Sequence, residues 1–188
     1  GVDAVFHPSA EEMYPKGYTA YVTVDGDITN KLCGAKRPGH FRGVATVVTK
    51  LFNITEADKA FFGQKDAQQV VVIKRFVRDL NMNVEVNMVP IVRAEDGLAL
   101  SSRNKYLSDK EKKAALVLSQ SLKEAQKAFK SGKKSVTELK ALITEKIQAE
   151  PLAQIDYIDI YTFPDLEECE MIVKEALVAL AVKFGTTR

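Results

Sequence analysis

Between residues 20 and 89 the apolar side chains keep changing their spacing, and this alternation limits the fold more than any other feature of the chain. Ala20-Tyr21-Val22-Thr23-Val24 reads as a strand, closed by Asp25-Gly26-Asp27. From His40 to Phe52 the period becomes helical, with Val44, Val47, Val48 and Leu51 on one face. Ala60-Phe61-Phe62 is a short apolar run stopped by Gly63, and Ile73, Phe76, Val77 and Leu80 repeat at helical spacing between Asp66 and Leu80. Val84 to Val89 then runs as a strand into Pro90. Strand, helix, strand, helix, strand is the order of an α/β domain with a parallel sheet. Upstream, Val2 to Phe6 is strand-like and is closed by Pro8.

The second half is organised differently. Ser108-Asp109-Lys110-Glu111 has the capping-box pattern, which predicts a helix to about Lys130 with Gly132 behind it. Ser135-Val136-Thr137-Glu138 repeats the signal for a helix stopped by Pro151. Ile155 to Tyr161 alternates as a strand, and Ala176 to Phe184 is a further strand candidate whose Leu, Ala and Lys also suit a helix. The expected fold is α/β: a parallel-sheet domain over residues 1–91, then a small α+β domain over 92–188, hinged near Pro90 to Arg93.

Charge excludes one class of partner. With 27 Lys and Arg against 25 Asp and Glu the net charge is +2, and neither half hides a basic excess, at 11 against 10 up to Ile91 and 16 against 15 after it. A non-specific nucleic-acid binder neutralises phosphates with a large surplus of cations. Two cysteines, Cys33 and Cys169, cannot make a zinc site alone and are expected as buried reduced thiols. The longest apolar stretch, Ala176 to Val182, is far below the roughly 20 residues of a membrane span, and no signal-peptide pattern precedes it, so a cytoplasmic protein is expected.

Three segments can carry chemistry. Gly63-Gln64-Lys65-Asp66-Ala67-Gln68-Gln69 lies between a strand and a helix, where helix amides point outward at the carboxyl edge of a parallel sheet. Gly63 admits a ligand to the backbone, Lys65 offers a cation, Asp66 accepts from sugar hydroxyls, and Gln69 lies one turn beyond Lys65. The same spacing also suits a plain βα turn with Asp66 as N-cap. Arg93 to Asn104 places Asp96-Gly97 as a turn before Ser101, Ser102 and Arg103, whose hydroxyls and guanidinium suit phosphate oxygens, or simply a polar loop. Gly34 to Phe41 looks like a P-loop but has His40-Phe41 where Lys-Ser/Thr is required. His40 is open between a structural role and a substrate contact.

Taken together, Phe6-His7-Pro8-Ser9 with Glu12-Met13-Tyr14-Pro15, Arg37 to Gly43, Phe62 to Gln69 and Asp96 to Leu107 resemble the pantothenate synthetase (pantoate–β-alanine ligase) family in order and gaps along essentially the whole chain. The resemblance implies an ATP-dependent ligase acting in two steps through pantoyl adenylate, with Mg²⁺ entering with ATP and with pantoate, β-alanine and ATP as its small-molecule substrates. It implies a Rossmann-type nucleotide-binding domain, here a partial Rossmann-type parallel sheet over 1–91, with 92–188 as its lid, and a homodimer; the charge balance and the short apolar runs leave no nucleic acid and no membrane among the expected partners. By motif, Gly63, Gln64, Lys65 and Asp66 would line the ATP site, with Lys65 on phosphate and Asp66 on ribose. Val92 would flank adenine. Leu100, Ser101, Ser102 and Arg103 would complete the site, and Gln69 would hold pantoate. Lys65, Ser101, Ser102 and Arg103 would be the catalytic set, and no residue of this chain is assigned as a metal ligand.

The family's His-x-Gly-His motif, its first pantoate-binding glutamine and its acidic residues near Mg²⁺ have no counterpart here. The expectation is therefore a chain lacking the family's first Rossmann segment and a short C-terminal tail, inactive alone and with an uncovered apolar sheet edge that favours self-association or a partner. Two alternatives remain at this point: another nucleotidyl-transferring enzyme of the same superfamily, and a non-catalytic folded or dimerising module.

Overall fold

The computed structural model describes residues 1–188. Its first half contains α1 (Ala10–Met13), α2 (Asp27–Asn30), α3 (Leu32–Lys36), α4 (His40–Thr55), β1 (Lys59–Gly63), α5 (Ala67–Asp79) and β2 (Glu85–Val89). Its second half contains α6 (Asp109–Lys130), α7 (Val136–Gln148), β3 (Ala153–Thr162) and β4 (Ala176–Phe184). Two 3-10 turns, Gln64–Asp66 and Ser102–Tyr106, follow β1 and precede α6.

β1 and β2 pair in parallel, from Lys59 opposite Glu85 to Gly63 opposite Val89, and α5 is the crossover between them. Val70-Val71-Val72-Ile73 inside α5 is a run of β-branched residues, which helices disfavour. Burial decides the matter: all four side chains are buried, Val71 and Val72 against Ile28 and Phe41, Ile73 against Ala45 and Val48 of α4. Two glycines are required by the backbone. Gly39 caps α4 at φ +77°, and a Cβ on Gly34 would collide with the Thr29 carbonyl oxygen, so α3 lies directly on α2.

In the second half, β3 and β4 are antiparallel from Ala153 opposite Phe184 to Thr162 opposite Ala176. Leu139, Ile143 and Ile147 of α7 pack with Ile158, Ile160, Val182 and Phe184 beneath α6. The capping box before α6 forms as the sequence predicts: the Ser108 amide donates to Glu111 Oε2 at 2.7 Å and the Glu111 amide donates to Ser108 Oγ at 3.3 Å. Before α7 only the Ser135 hydroxyl takes part, accepting from the Glu138 amide at 3.4 Å.

The halves meet where the β3–β4 connection seats Leu166, at φ +57° and 0% exposed, among Ile28, Phe41, Val71 and Val72. Lys31 Nζ donates to the Leu166 carbonyl at 3.0 Å, and Arg75 pairs with Asp165 at 2.9 Å. A partly exposed ion pair contributes about 0–1 kcal/mol, whereas a fully buried leucine contributes about 2 kcal/mol or more, so the apolar seat dominates this contact.

Several expectations are corrected. Val2–Phe6 and Ala20–Val24 form no strand, because no other strand of this chain lies beside them to complete a ladder. Residues 20–24 are instead fixed to α4: the Val22 amide donates to Thr46 Oγ1 at 3.0 Å, and the Arg42 guanidinium lies 3.9 Å over the Tyr21 ring. The first helix of the α/β order continues to Thr55, and Ala176–Phe184 is a strand. Cys33 and Cys169 are free thiols, but half-buried; Cys33 Sγ lies 3.1 Å from the Tyr157 hydroxyl. The outer face of β1 is uncovered, with Phe61 64% exposed.

Leu166→Ala is expected to cost about 2–5 kcal/mol in denaturant unfolding, and Val173→Ala, at an exposed position, within about 0.5 kcal/mol. Equal midpoints for the two variants would contradict the role given to Leu166.

Candidate functional site

Parallel pairing carries the ends of β1 and β2 to one edge. Gly63 and Val89 are register partners at that edge, and each chain turns off it into a polar segment. After Gly63 comes the turn Gln64–Asp66 and the N-terminus of α5. After Val89 come three residues to Val92, a path no longer than roughly 11 Å at 3.8 Å per step. The two candidate segments thus begin as neighbours.

Gly63 has φ −72°, and a Cβ there would meet nothing within 4 Å, so neither backbone nor packing demands glycine. Its missing side chain leaves the strand end open. Asp66 stands at the N-cap position of α5, yet its carboxylate makes no cap hydrogen bond. Asp66 thus takes the N-cap position of a plain βα turn while its carboxylate stays unused there. Lys65 reaches Asp66 at 3.8 Å, a loose pair with both side chains solvated, which leaves the ammonium's donors available to an anion.

Gln68 and Gln69 divide sharply. The Gln68 side chain is buried and fully bonded: its Oε1 accepts from the Cys33 amide at 3.0 Å, and its Nε2 donates to the carbonyls of Ile28 and Lys31 at 2.9 and 2.7 Å. Gln69 is half-buried, and its amide makes no hydrogen bond within the chain. Sequence reasoning singled out Gln69 and gave Gln68 no role of its own; nothing in the spacing separates an amide turned inward from one turned outward.

Residues 92–103 form a second unit. The Leu100 amide donates to the Val92 carbonyl at 2.9 Å, Arg93 bridges Ala99, and the Arg93 guanidinium donates to the Gly97 carbonyl at 3.1 Å. This sets two exposed apolar side chains, Val92 at 65% and Leu100 at 54%, side by side. Ser101 caps the turn Ser102–Tyr106, accepting from the Arg103 amide at 3.2 Å, so its hydroxyl has a structural task. Ser102 and Arg103 are exposed, with no hydrogen bond or ion pair from either side chain.

His40 joins the first segment. Arg37 lies 3.1 Å from His40 Nε2, and a guanidinium only donates, so Nε2 accepts and the ring is neutral. Burial and then the Arg37 charge push the His40 imidazole below its ordinary range, while the Asp66 carboxylate opposes them. Arg37, His40 and Asp66 thus share one electrostatic neighbourhood. Gly34 to Lys36, by contrast, are folded into α3, which confirms that this segment is no P-loop. No three His, Cys, Asp or Glu side chains converge to hold a metal ion, and no helix is long and apolar enough to cross a membrane.

The sign of the His40 effect is testable. The folded chain favours the neutral ring, so the stability this conveys is complete above the unfolded imidazole's value and falls away as pH drops below it, levelling once the folded ring protonates. In an NMR titration Arg37→Ala is expected to raise the His40 midpoint and Asp66→Asn to lower it; unchanged midpoints in both would contradict the neighbourhood.

Comparison with known proteins gives the family and the fold. The family described as "Pantoate-beta-alanine ligase" matches residues 1–188. Pantothenate synthetase of Pelotomaculum thermopropionicum is 60% identical over 188 residues, and that of Acetivibrio thermocellus is 58% identical. In both cases all of this chain is covered, and it spans 66% of the relative's length. The crystal structure of pantothenate synthetase from Thermus thermophilus superposes with a TM-score of 0.94 at 45% identity, over 99% of this chain and 67% of that one. Pantoate-beta-alanine ligase from Francisella tularensis, solved with beta-gamma ATP and beta-alanine, superposes with a TM-score of 0.69 at 30% identity, over 96% of this chain and 60% of that one.

Proposed function

The chain belongs to the pantoate-beta-alanine ligase family, and from that premise we propose that the protein it forms joins pantoate to β-alanine at the expense of ATP. A pantoate carboxylate oxygen attacks the α-phosphorus of ATP, forming pantoyl adenylate and expelling pyrophosphate. The amine of β-alanine then attacks the acyl carbon, AMP leaves, and the amine's proton passes to solvent, giving pantothenate.

One observation carries the reading: two polar segments that leave the same edge of the parallel pair, each with a cation that no close ion pair holds. Negative charge moves onto the departing pyrophosphate in the first step, so positioned cations and donors lower its barrier without a covalent nucleophile. In this reading Lys65 and Arg103 meet the phosphates, with the Ser102 hydroxyl and the main chain around Ser101 beside them. Gly63 and Gln64 give access to the backbone, and Asp66 accepts from the ribose. Val92 and Leu100, adjacent and exposed, suit the faces of the adenine ring. The unbonded amide of Gln69 suits the hydroxyl and carboxylate of pantoate. Mg²⁺ would enter with ATP, bound chiefly by phosphate oxygens and water, and would neutralise charge on the departing pyrophosphate.

The division at residues 91 and 92, a homodimer and a cytoplasmic setting belong to the same proposal. So does inactivity of the 188 residues alone, since this chain spans 66% of the relatives' length. In a polypeptide of that full length, pantoate-dependent release of pyrophosphate from ATP is the defining assay. Lys65→Ala is expected to lower its kcat by roughly 10²-fold or more, in the range of a lost transition-state donor, with little change in Tm. Pyrophosphate release independent of pantoate, or an unaffected Lys65→Ala, would overturn the assignment.

A further inference from the structure

Gln68 presents an arrangement that the proposed chemistry does not use. Its side chain is 6% exposed, and the amide is satisfied by three main-chain groups of another part of the fold. The orientation of the amide is fixed by its partners, because the Ile28 and Lys31 carbonyls only accept and the Cys33 amide only donates. These three groups lie at the ends of α2 and α3, helices of four and five residues that leave most of their polar groups without intrahelical partners. One glutamine thus organises the α2–α3 corner from the first turn of α5.

Both sides of that clasp matter to the site. On α5, Gln68 follows Lys65 and Asp66 and immediately precedes Gln69. On the other side, α3 runs directly into Arg37 and His40. The corner also reaches the second half of the chain: Lys31, whose carbonyl accepts from Gln68, donates through Nζ to the Leu166 carbonyl at 3.0 Å. A side chain present only to fill this space would be apolar at lower cost, because a buried amide must satisfy every donor or lose stability.

We propose that Gln68 is a positioning residue of this site: it fixes the first turn of α5, and with it Lys65, Asp66 and Gln69, against the α2–α3 corner on which the second half docks. The inference rests on the function proposed above. Gln68 touches no substrate and acts through its neighbours. Loosening the clasp lets the turn and the Gln69 amide drift from the reacting groups, and small misplacements are expensive in rate.

The test uses the polypeptide of the relatives' full length and pantoate-dependent pyrophosphate release. Gln68→Glu keeps the shape but turns a carboxylate on two carbonyls; Gln68→Met keeps the bulk and loses all three bonds. Ile143→Ala, deep in the α7–β3 core, is the stability control. Both Gln68 variants are expected to lose about tenfold or more in kcat at saturating substrate, at temperatures where they remain folded. Ile143→Ala should keep its kcat despite an equal or larger fall in Tm. Gln68→Glu should also regain rate as pH falls and its carboxyl recovers a donor, and Gln68→Met should not. A kcat within about twofold of the unmodified protein in both variants, or a loss that only follows the folded fraction, overturns the proposal.

Should neither variant fold, hydrogen exchange on the unmodified protein decides. Nucleotide binding should protect the Cys33 amide together with residues 64–69; protection at 64–69 alone overturns the proposal. Failure of the unmodified protein to release pyrophosphate with pantoate would instead count against the proposed function.

Discussion

The pairing of Gly63 with Val89 at the end of two parallel strands is the constraint from which the rest of the site follows. Parallel strands need a crossover, and α5 supplies it; once α5 is packed, the β1–α5 turn and the segment after β2 must leave from the same edge. The helix that enforces this carries four successive β-branched residues and holds only because its sides are covered, by α4 on one and by α2 and Leu166 on another. Core packing in the first half and docking of the second half therefore act on the same element.

Electrostatics at that edge are arranged loosely. Lys65 has a distant, solvated partner, Arg103 has none, and Asp66 is not spent on capping. Elsewhere polar groups are closely bonded, as in the Ser108–Glu111 box or the Gln68 clasp. The contrast separates groups bonded within the fold from groups whose hydrogen-bonding capacity is left unused. His40 lies between the two, neutral and bonded to Arg37 yet within the field of Asp66.

Legibility in the sequence followed the physical range of each interaction. α4, α5, α6 and α7 were readable because burial repeats every three to four residues, and the capping box before α6 is a contact within one turn. α1, α2 and α3 were not, because helices of four or five residues are stabilised by what they pack against rather than by their own periodicity. The runs Val2–Phe6 and Ala20–Val24 have strand composition, but a strand exists only with a partner, which local sequence does not reveal. In the candidate site, Lys65, Gln69, Ser102 and Arg103 stand out by residue type and position in the family motifs. Ser101 proved to be a cap as well, and Gln68 was passed over because its partners lie 35 to 40 residues away.

In the proposed function, the β1–α5 turn and the segment ending at Arg103 close on one nucleotide. Hydrogen exchange of a polypeptide of the relatives' length, with and without ATP, decides this. Amide protection that rises together at residues 63–69 and 100–103 is the predicted result; protection confined to one of these segments, or lying elsewhere, would contradict it.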